Sequence, residues 1–124
     1  YNEGMGREFA RWKRYGGDLS LLIFDLDLFK SINDSFGHAA GDKVLASVAS
    51  LLRKQIRHCD ILCCLGGEEF AIILPETDVH GAAIVGDKLR ASIANSQFRF
   101  KEQPVPVTVS IGAAEFRGSD TQDD

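Results

Sequence analysis

Leu65-Gly66-Gly67-Glu68-Glu69-Phe70-Ala71-Ile72-Ile73-Leu74, LGGEEFAIIL, places two glycines and two carboxylates at the mouth of a strongly apolar run. The residues on either side, 61–65 and 69–74, are rich in strand-forming side chains. A glycine pair between them supplies the positive φ angles of a tight hairpin. The segment therefore reads as a β-hairpin turning at Gly66-Gly67 and closed by Pro75. A turn accounts for the glycines but leaves the paired glutamates unexplained.

Working outward, LSLLIFDLD (residues 19–27) is a short apolar run ending in acids, the pattern of a buried strand whose last residues reach the sheet margin. A short helix is expected over residues 28–36, broken by Gly37. A longer one follows, with Val44, Leu45, Val48, Leu51, Leu52 and Ile56 on one stripe. Asp78 can cap a helix running to Asn95 with Val79, Ala82, Ala83, Leu89 and Ile93 facing inward. Residues 97–100 read as a short strand, and 105–116, VPVTVSIGAAEF, as one long strand that tolerates Pro106 at its start. Upstream, Met5, Phe9 and Trp12 fall at helical spacing before the Gly16-Gly17 stop. Helices interleaved with strands and one tight hairpin predict an α/β sandwich of ferredoxin-like type, a central, mostly antiparallel sheet covered by helices. The polar end GSDTQDD is expected to fray.

With 124 residues, 44% hydrophobic and 26% charged, the chain suffices for one domain with one core, residues 1–124. A net charge of -4 argues against a nucleic-acid-binding surface, so DNA is not an expected partner. No stretch approaches the roughly 20 apolar residues of a membrane span, and YNEGMGREFARWKR has no signal-peptide core, so a cytoplasmic location is expected. Cys59, Cys63 and Cys64 lack the second distant pair of a zinc site and are expected to be reduced core or near-core residues.

Two acidic groups stand out: Asp25 and Asp27 at the end of the first strand, and Glu68 and Glu69 at the hairpin tip. Paired side by side, these elements bring the carboxylates to one edge, where they repel unless protonated or bridged by a hard cation such as Mg²⁺. Phosphates of a substrate commonly complete such a site, and the helix start after Asp27 and the Gly37, His38, Gly41 region offer amides to hold them. Spacing alone equally allows Asp27 as a plain N-cap and Glu68-Glu69 as a solvated turn.

The long motif FDLDLFKSINDSFGHAAGDKVL (residues 24–45), with LGGEEF and VTVSIGAAEF, resembles the GGDEF domain of bacterial diguanylate cyclases, which join two GTP into cyclic di-GMP. The resemblance covers nearly the whole chain as a truncated domain, without the family's LTGLxNR-like segment and last helix. It implies the nucleotide-cyclase and polymerase-palm version of the fold. It also implies Asp25, Glu68 and the carbonyl of Leu26 as ligands of Mg²⁺ (or Mn²⁺), with Glu69 assisting the metal or deprotonation of the attacking 3′-hydroxyl. Asn33 and Asp42 correspond to the guanine-binding residues. The backbone of Leu28 and Phe29 and the side chain of Lys30 correspond to the triphosphate cradle, and Gly66 and Gly67 to the open turn beneath the nucleotide. Two such domains, each holding one GTP, would face each other as a homodimer, with an upstream sensory or receiver domain in the full protein.

Arg57-His58-Cys59-Asp60 has the form RxxD and ends before Gly66, at the register where the family's inhibitory site binds cyclic di-GMP. Arg57 and Asp60 would hold the product there, with Lys88 in support. A helix-terminal Arg and a loop Asp are the plainer reading of RxxD. Cys64-Leu65 stands where the family usually has Arg-aromatic. The alternative to a working cyclase is therefore a degenerate domain acting as a cyclic di-GMP receptor, and a more distant one is a dimerisation scaffold.

Overall fold

The structure, a computed structural model, describes Arg7, Ala10 and residues 17–116. Met5, Phe9 and Trp12 of the expected first helix, and the polar C-terminal end, lie outside the described residues. The described elements run β1 (Leu19–Leu26), α1 (Phe29–Phe36), α2 (His38–Gln55), β2 (Ile61–Gly66), β3 (Glu69–Pro75), α3 (Val79–Asn95), β4 (Phe98–Phe100), β5 (Gln103–Val105) and β6 (Val109–Phe116). Four strands form one sheet in the order β2-β3-β1-β6, every neighbouring pair antiparallel, and β4 and β5 form a separate two-stranded sheet. The hairpin lying beside β1, with β6 on its other side, gives the split β-α-β arrangement of the ferredoxin-like fold.

Alternation along the strands decides which face the helices cover. Leu22, Phe24 and Leu26 of β1 and Phe70, Ile72 and Leu74 of β3 are buried in a core shared with Val44, Val48 and Leu52 of α2 and Leu89 and Ile93 of α3. Leu19 and Ile73 belong to a smaller cluster, with Leu21, Ile61 and Phe116 packed against it. Gly86 of α3 lies where a Cβ would come within 3.2 Å of Leu22, so its lack of a side chain sets how closely the helix approaches the sheet.

Several expectations are corrected. The hairpin turns at Gly67-Glu68, not Gly66-Gly67: Gly66 is still paired with Glu69, a bulge falls between Cys64 and Gly66, and only Gly66 has positive φ (132°). The long strand over 105–116 is two. Val105 turns away to pair with Phe98, and the main-sheet strand starts at Val109, after Pro106, which has no N–H to donate. The β4–β5 turn places Lys101 (φ 50°) and Glu102 (φ 67°) in left-handed conformations that sequence reasoning assigns to Asn-Gly pairs. Arg99 Nη1 donates to the Glu102 carbonyl and Lys101 Nζ sits 5.5 Å from the Phe100 ring centre, which favours that turn. Ala83 is exposed rather than inward, and Gly86 takes the buried position. Gly41 is helical, not part of a loop. Cys63 is buried, whereas Cys59 and Cys64 are exposed, and all three are free thiols.

At the Leu19 and Pro75 end of the sheet a polar network joins four elements. Ser20, fully buried, donates to the Thr77 carbonyl at 2.6 Å, the Glu76 amide donates to the Asp18 carbonyl, and the Val79 amide donates to Glu115 Oε1. Asp78 caps α3 through its carboxylate on the Gly81 amide, as expected. Arg57 closes the network. Its amide and Nε donate to the Asp60 carboxylate, and Nη2 reaches Asp60 Oδ1 (2.7 Å), the Pro75 carbonyl (2.9 Å) and Thr77 Oγ1 (3.0 Å). The Asp60 side chain is only 2% exposed and the Arg57 side chain 52%. The hydrogen bonds to Asp60, reinforced by its charge, hold Arg57 above the ordinary arginine pKa, with partial burial opposing.

Arg57→Ala strands the Asp60 carboxylate in a nearly dry site and is expected to lower stability by about 1–3 kcal/mol in urea denaturation. Arg57→Ala with Asp60→Ala should be less destabilising than the sum of the two single changes. Strict additivity would show that the pair does not clamp the loop.

Candidate functional site

At the other end of the sheet, the β1–β3 register sets Asp25 directly opposite Glu69. Side chains of such a pair share a face and stand about 5 Å apart at Cβ. The Leu26 amide donates to the Glu68 carbonyl at 3.1 Å, tying the hairpin turn to the end of β1 and holding Glu68 beside Asp25. Of the first acidic group, Asp25 is thus brought to the hairpin end that carries the second. Among the described residues none of Asp25, Glu68 and Glu69 is in an ion pair, and all three are exposed.

Asp27 does something else. It is not the N-cap of α1, a position held by Leu28. Its amide donates to the Thr108 carbonyl (2.9 Å), and its carboxylate accepts from Thr108 Oγ1 (2.9 Å) and Ser110 Oγ (2.6 Å), both on the β6 side. Sequence reasoning missed Thr108 and Ser110. The signal was available in Val107-Thr108-Val109-Ser110, where strict alternation sends both hydroxyls to one face.

The donor set suits a hard divalent cation in one particular way. No cluster of three or more His, Cys, Asp or Glu side chains able to enclose a metal exists among the described residues. What the strand end offers is carboxylates from Asp25 and Glu68, with Glu69 adjacent, in an open position. That is too little for a protein-only cage and fits a Mg²⁺-type site finished by water and substrate phosphates.

Leu28 then bends the chain through a left-handed conformation (φ 57°) and starts α1 with no side-chain cap. The first amides of the helix are therefore left for an outside acceptor, next to the carboxylates, and Lys30 is exposed in the same turn. On the far side of α1, Asn33 meets α2. Its Oδ1 is buried without a hydrogen-bond partner, and a Cβ on Gly41 would overlap it. Gly41 is thus required to leave room for the Asn33 amide, and Asp42 stands next in the chain, exposed. Among the described residues this buried acceptor is left without a donor, an exception to the usual pairing of buried polar groups.

Arg57 and Asp60 are adjacent, as their spacing predicts, but turned toward each other in the clamp described above. They border a shallow depression of about 620 Å³ whose rim also carries Arg53 and His58. Lys88, exposed on α3, is not among its lining residues. Arg57 Nη1 keeps no protein partner among the described residues. Leu65, at the bulge preceding Gly66, is 45% exposed. No described helix is long and apolar enough to cross a membrane.

The family model "Diguanylate cyclase, GGDEF domain" matches residues 2–124. The chain is 45% identical over 119 residues to the diguanylate cyclase DgcP of Pseudomonas aeruginosa, covering 96% of this chain but only 18% of that protein, so it spans about a fifth of that relative's length. It superposes on the active GGEEF domain of a diguanylate cyclase from Vibrio cholerae with TM-score 0.82 and 35% identity, covering 92% of this chain and 72% of that one. The GGDEF domain of DgcB from Caulobacter crescentus in complex with c-di-GMP gives TM-score 0.86 at 28% identity, with 94% and 68% covered. With the motifs, the sheet order and the family match in agreement, the chain belongs to the diguanylate cyclase GGDEF family of domains.

Proposed function

We propose that the chain is a diguanylate cyclase domain that condenses two GTP into cyclic di-GMP, and the observation that carries this is the convergence of Asp25, Glu68 and Glu69, without cationic partners, beside the open N-terminus of α1. Mg²⁺ or Mn²⁺ held by Asp25, Glu68 and the Leu26 carbonyl would neutralise phosphate charge. The α1 amides and Lys30 receive the triphosphate. Asn33 Oδ1 and the Asp42 carboxylate accept from the N1–H and N2–H edge of guanine, which adenine does not present. In a homodimer the 3′-hydroxyl of each GTP faces the α-phosphate of the other. It attacks, pyrophosphate leaves, and two such steps close the ring. Glu69 is placed to assist the metal or to take the hydroxyl proton, and the rest of the rate is positioning.

The depression around Arg57 is the place for the product. Because Nε and Nη2 are already committed to Asp60, Pro75 and Thr77, a cyclic di-GMP phosphate or guanine would meet Nη1 first, within the positive field of Arg53 and with His58 on the same rim. A domain that keeps this site but not turnover is the second reading, favoured by Cys64-Leu65 at the hairpin base, where Leu65 is exposed and no basic side chain stands.

With GTP and Mg²⁺ the chain is expected to form cyclic di-GMP, identified by chromatography and mass. Glu68→Gln should reduce this at least about a hundredfold while leaving cyclic di-GMP affinity in place. Turnover retained in that variant would remove the metal site from the hairpin. Gly41→Ala, by displacing Asn33, should weaken GTP binding about tenfold and erode the preference over ATP. An unchanged preference in calorimetry would take guanine away from Asn33. Arg57→Ala, assayed where it is folded, should lose cyclic di-GMP affinity and product inhibition. Full affinity in that variant would leave Arg57 a structural clamp only.

A further inference from the structure

We infer that Asp27 is a positioning residue, which shapes the phosphate-binding turn from β6 through Thr108 and Ser110. The inference rests on the function proposed above and adds a role for a carboxylate that the acidic pattern alone would place on the metal.

The geometry assigns its bonds elsewhere. Asp27 Oδ1 takes the Ser110 hydroxyl at 2.6 Å, Oδ2 takes the Thr108 hydroxyl at 2.9 Å, and the Asp27 amide is held by the Thr108 carbonyl. Three hydrogen bonds therefore fix one residue to the neighbouring strand immediately before Leu28. Leu28 is a non-glycine residue at φ 57°, a conformation its Cβ makes unfavourable. Burial does not hold it there, since its side chain is 77% exposed. Nor does a side-chain cap, since α1 has none. What holds Leu28 is its two flanks: Asp27 on β6, and the Leu28 carbonyl accepting the Ile32 amide (3.2 Å) as α1 begins. Without the upstream anchor the turn is free to relax toward right-handed backbone. The first turn of α1 would then lose its present direction relative to the end of β1. Asp27 thus acts through backbone direction and not by touching the nucleotide.

The test compares Asp27→Ala, Asp27→Asn and the double variant Thr108→Val/Ser110→Ala, which keeps the carboxylate but removes both hydroxyl donors. The probe is α,β-methylene GTP with Mg²⁺ in calorimetry, and nucleotide-free hydrogen exchange follows the amides of Asp27 and Ile32, which are hydrogen-bonded on either side of Leu28. Asp27→Ala and the double variant should each lose about tenfold or more in affinity and exchange those amides faster. Asp27→Asn should retain most of the affinity, because hydroxyls can rotate to bond an amide. Asp27→Asn as weak as Asp27→Ala, beside a double variant that binds like the parent, would overturn the proposal and make Asp27 a direct ligand. A lower melting temperature with affinity and exchange unchanged would also overturn it, leaving a purely structural bond. If the parent chain itself fails to bind the analogue, the functional reading falls. Hydrogen exchange still decides the turn: unaltered amides in Asp27→Ala sink the positioning role by themselves.

Discussion

The pairing of β1 with β3 in one particular register is the constraint on which the rest depends. Strand side chains alternate, so a slip of one residue would carry Asp25 to the helix-covered face and bring a core side chain out in its place. Phe24 and Leu26 on β1, with Phe70, Ile72 and Leu74 on β3, prevent this, because each is buried and a shifted register would expose them all. The acidic edge is therefore set by hydrophobic burial a few residues away. No attraction among the carboxylates is needed, and none is available, since they repel.

That constraint also explains what could be read in advance. The apolar run after Glu69 and the one before Asp25 carry their own strand signals, and their acids come at the same ends, so convergence was visible once the hairpin was placed beside β1. The helices declared themselves through Asp78, Gly37 and the Val44–Leu52 stripe. Features fixed by tertiary context were less legible. Lys101 and Glu102 carry no turn signal, so residues 97–100 read as a lone strand and Val105 as the start of β6. Gly41 resembles a loop residue until the side chain of Asn33 is found against it. Asp27 resembles an N-cap until its partners Thr108, just before β6, and Ser110, within it, some 80 residues later in sequence, are in view. Each case turns on a partner distant in the chain, which spacing does not encode.

Arg57 and Asp60 show how one short motif can satisfy two descriptions. As a helix-terminal Arg and a loop Asp they tie the entrance of β2 to the exit of β3. As the proposed ligand site they would present an oriented guanidinium whose rotamer is already fixed, so that less side-chain entropy would be lost when a phosphate or guanine arrives. The structural bond and the recognition surface are compatible because a guanidinium has more N–H groups than Asp60, Pro75 and Thr77 consume.

The strand β3 joins these two ends: Glu69 begins it and Pro75, which accepts from Arg57, finishes it. Seven residues of extended chain are about 20 Å from first to last. On the proposed function, a nucleotide seated at the Arg57 end would lie too far away to crowd a GTP at the carboxylates of the same chain. Whatever it does to catalysis must pass through the stiffness of that strand or through a second copy of the domain. Such an inhibitor would lower the maximal rate without competing with substrate, and raising GTP would not relieve it.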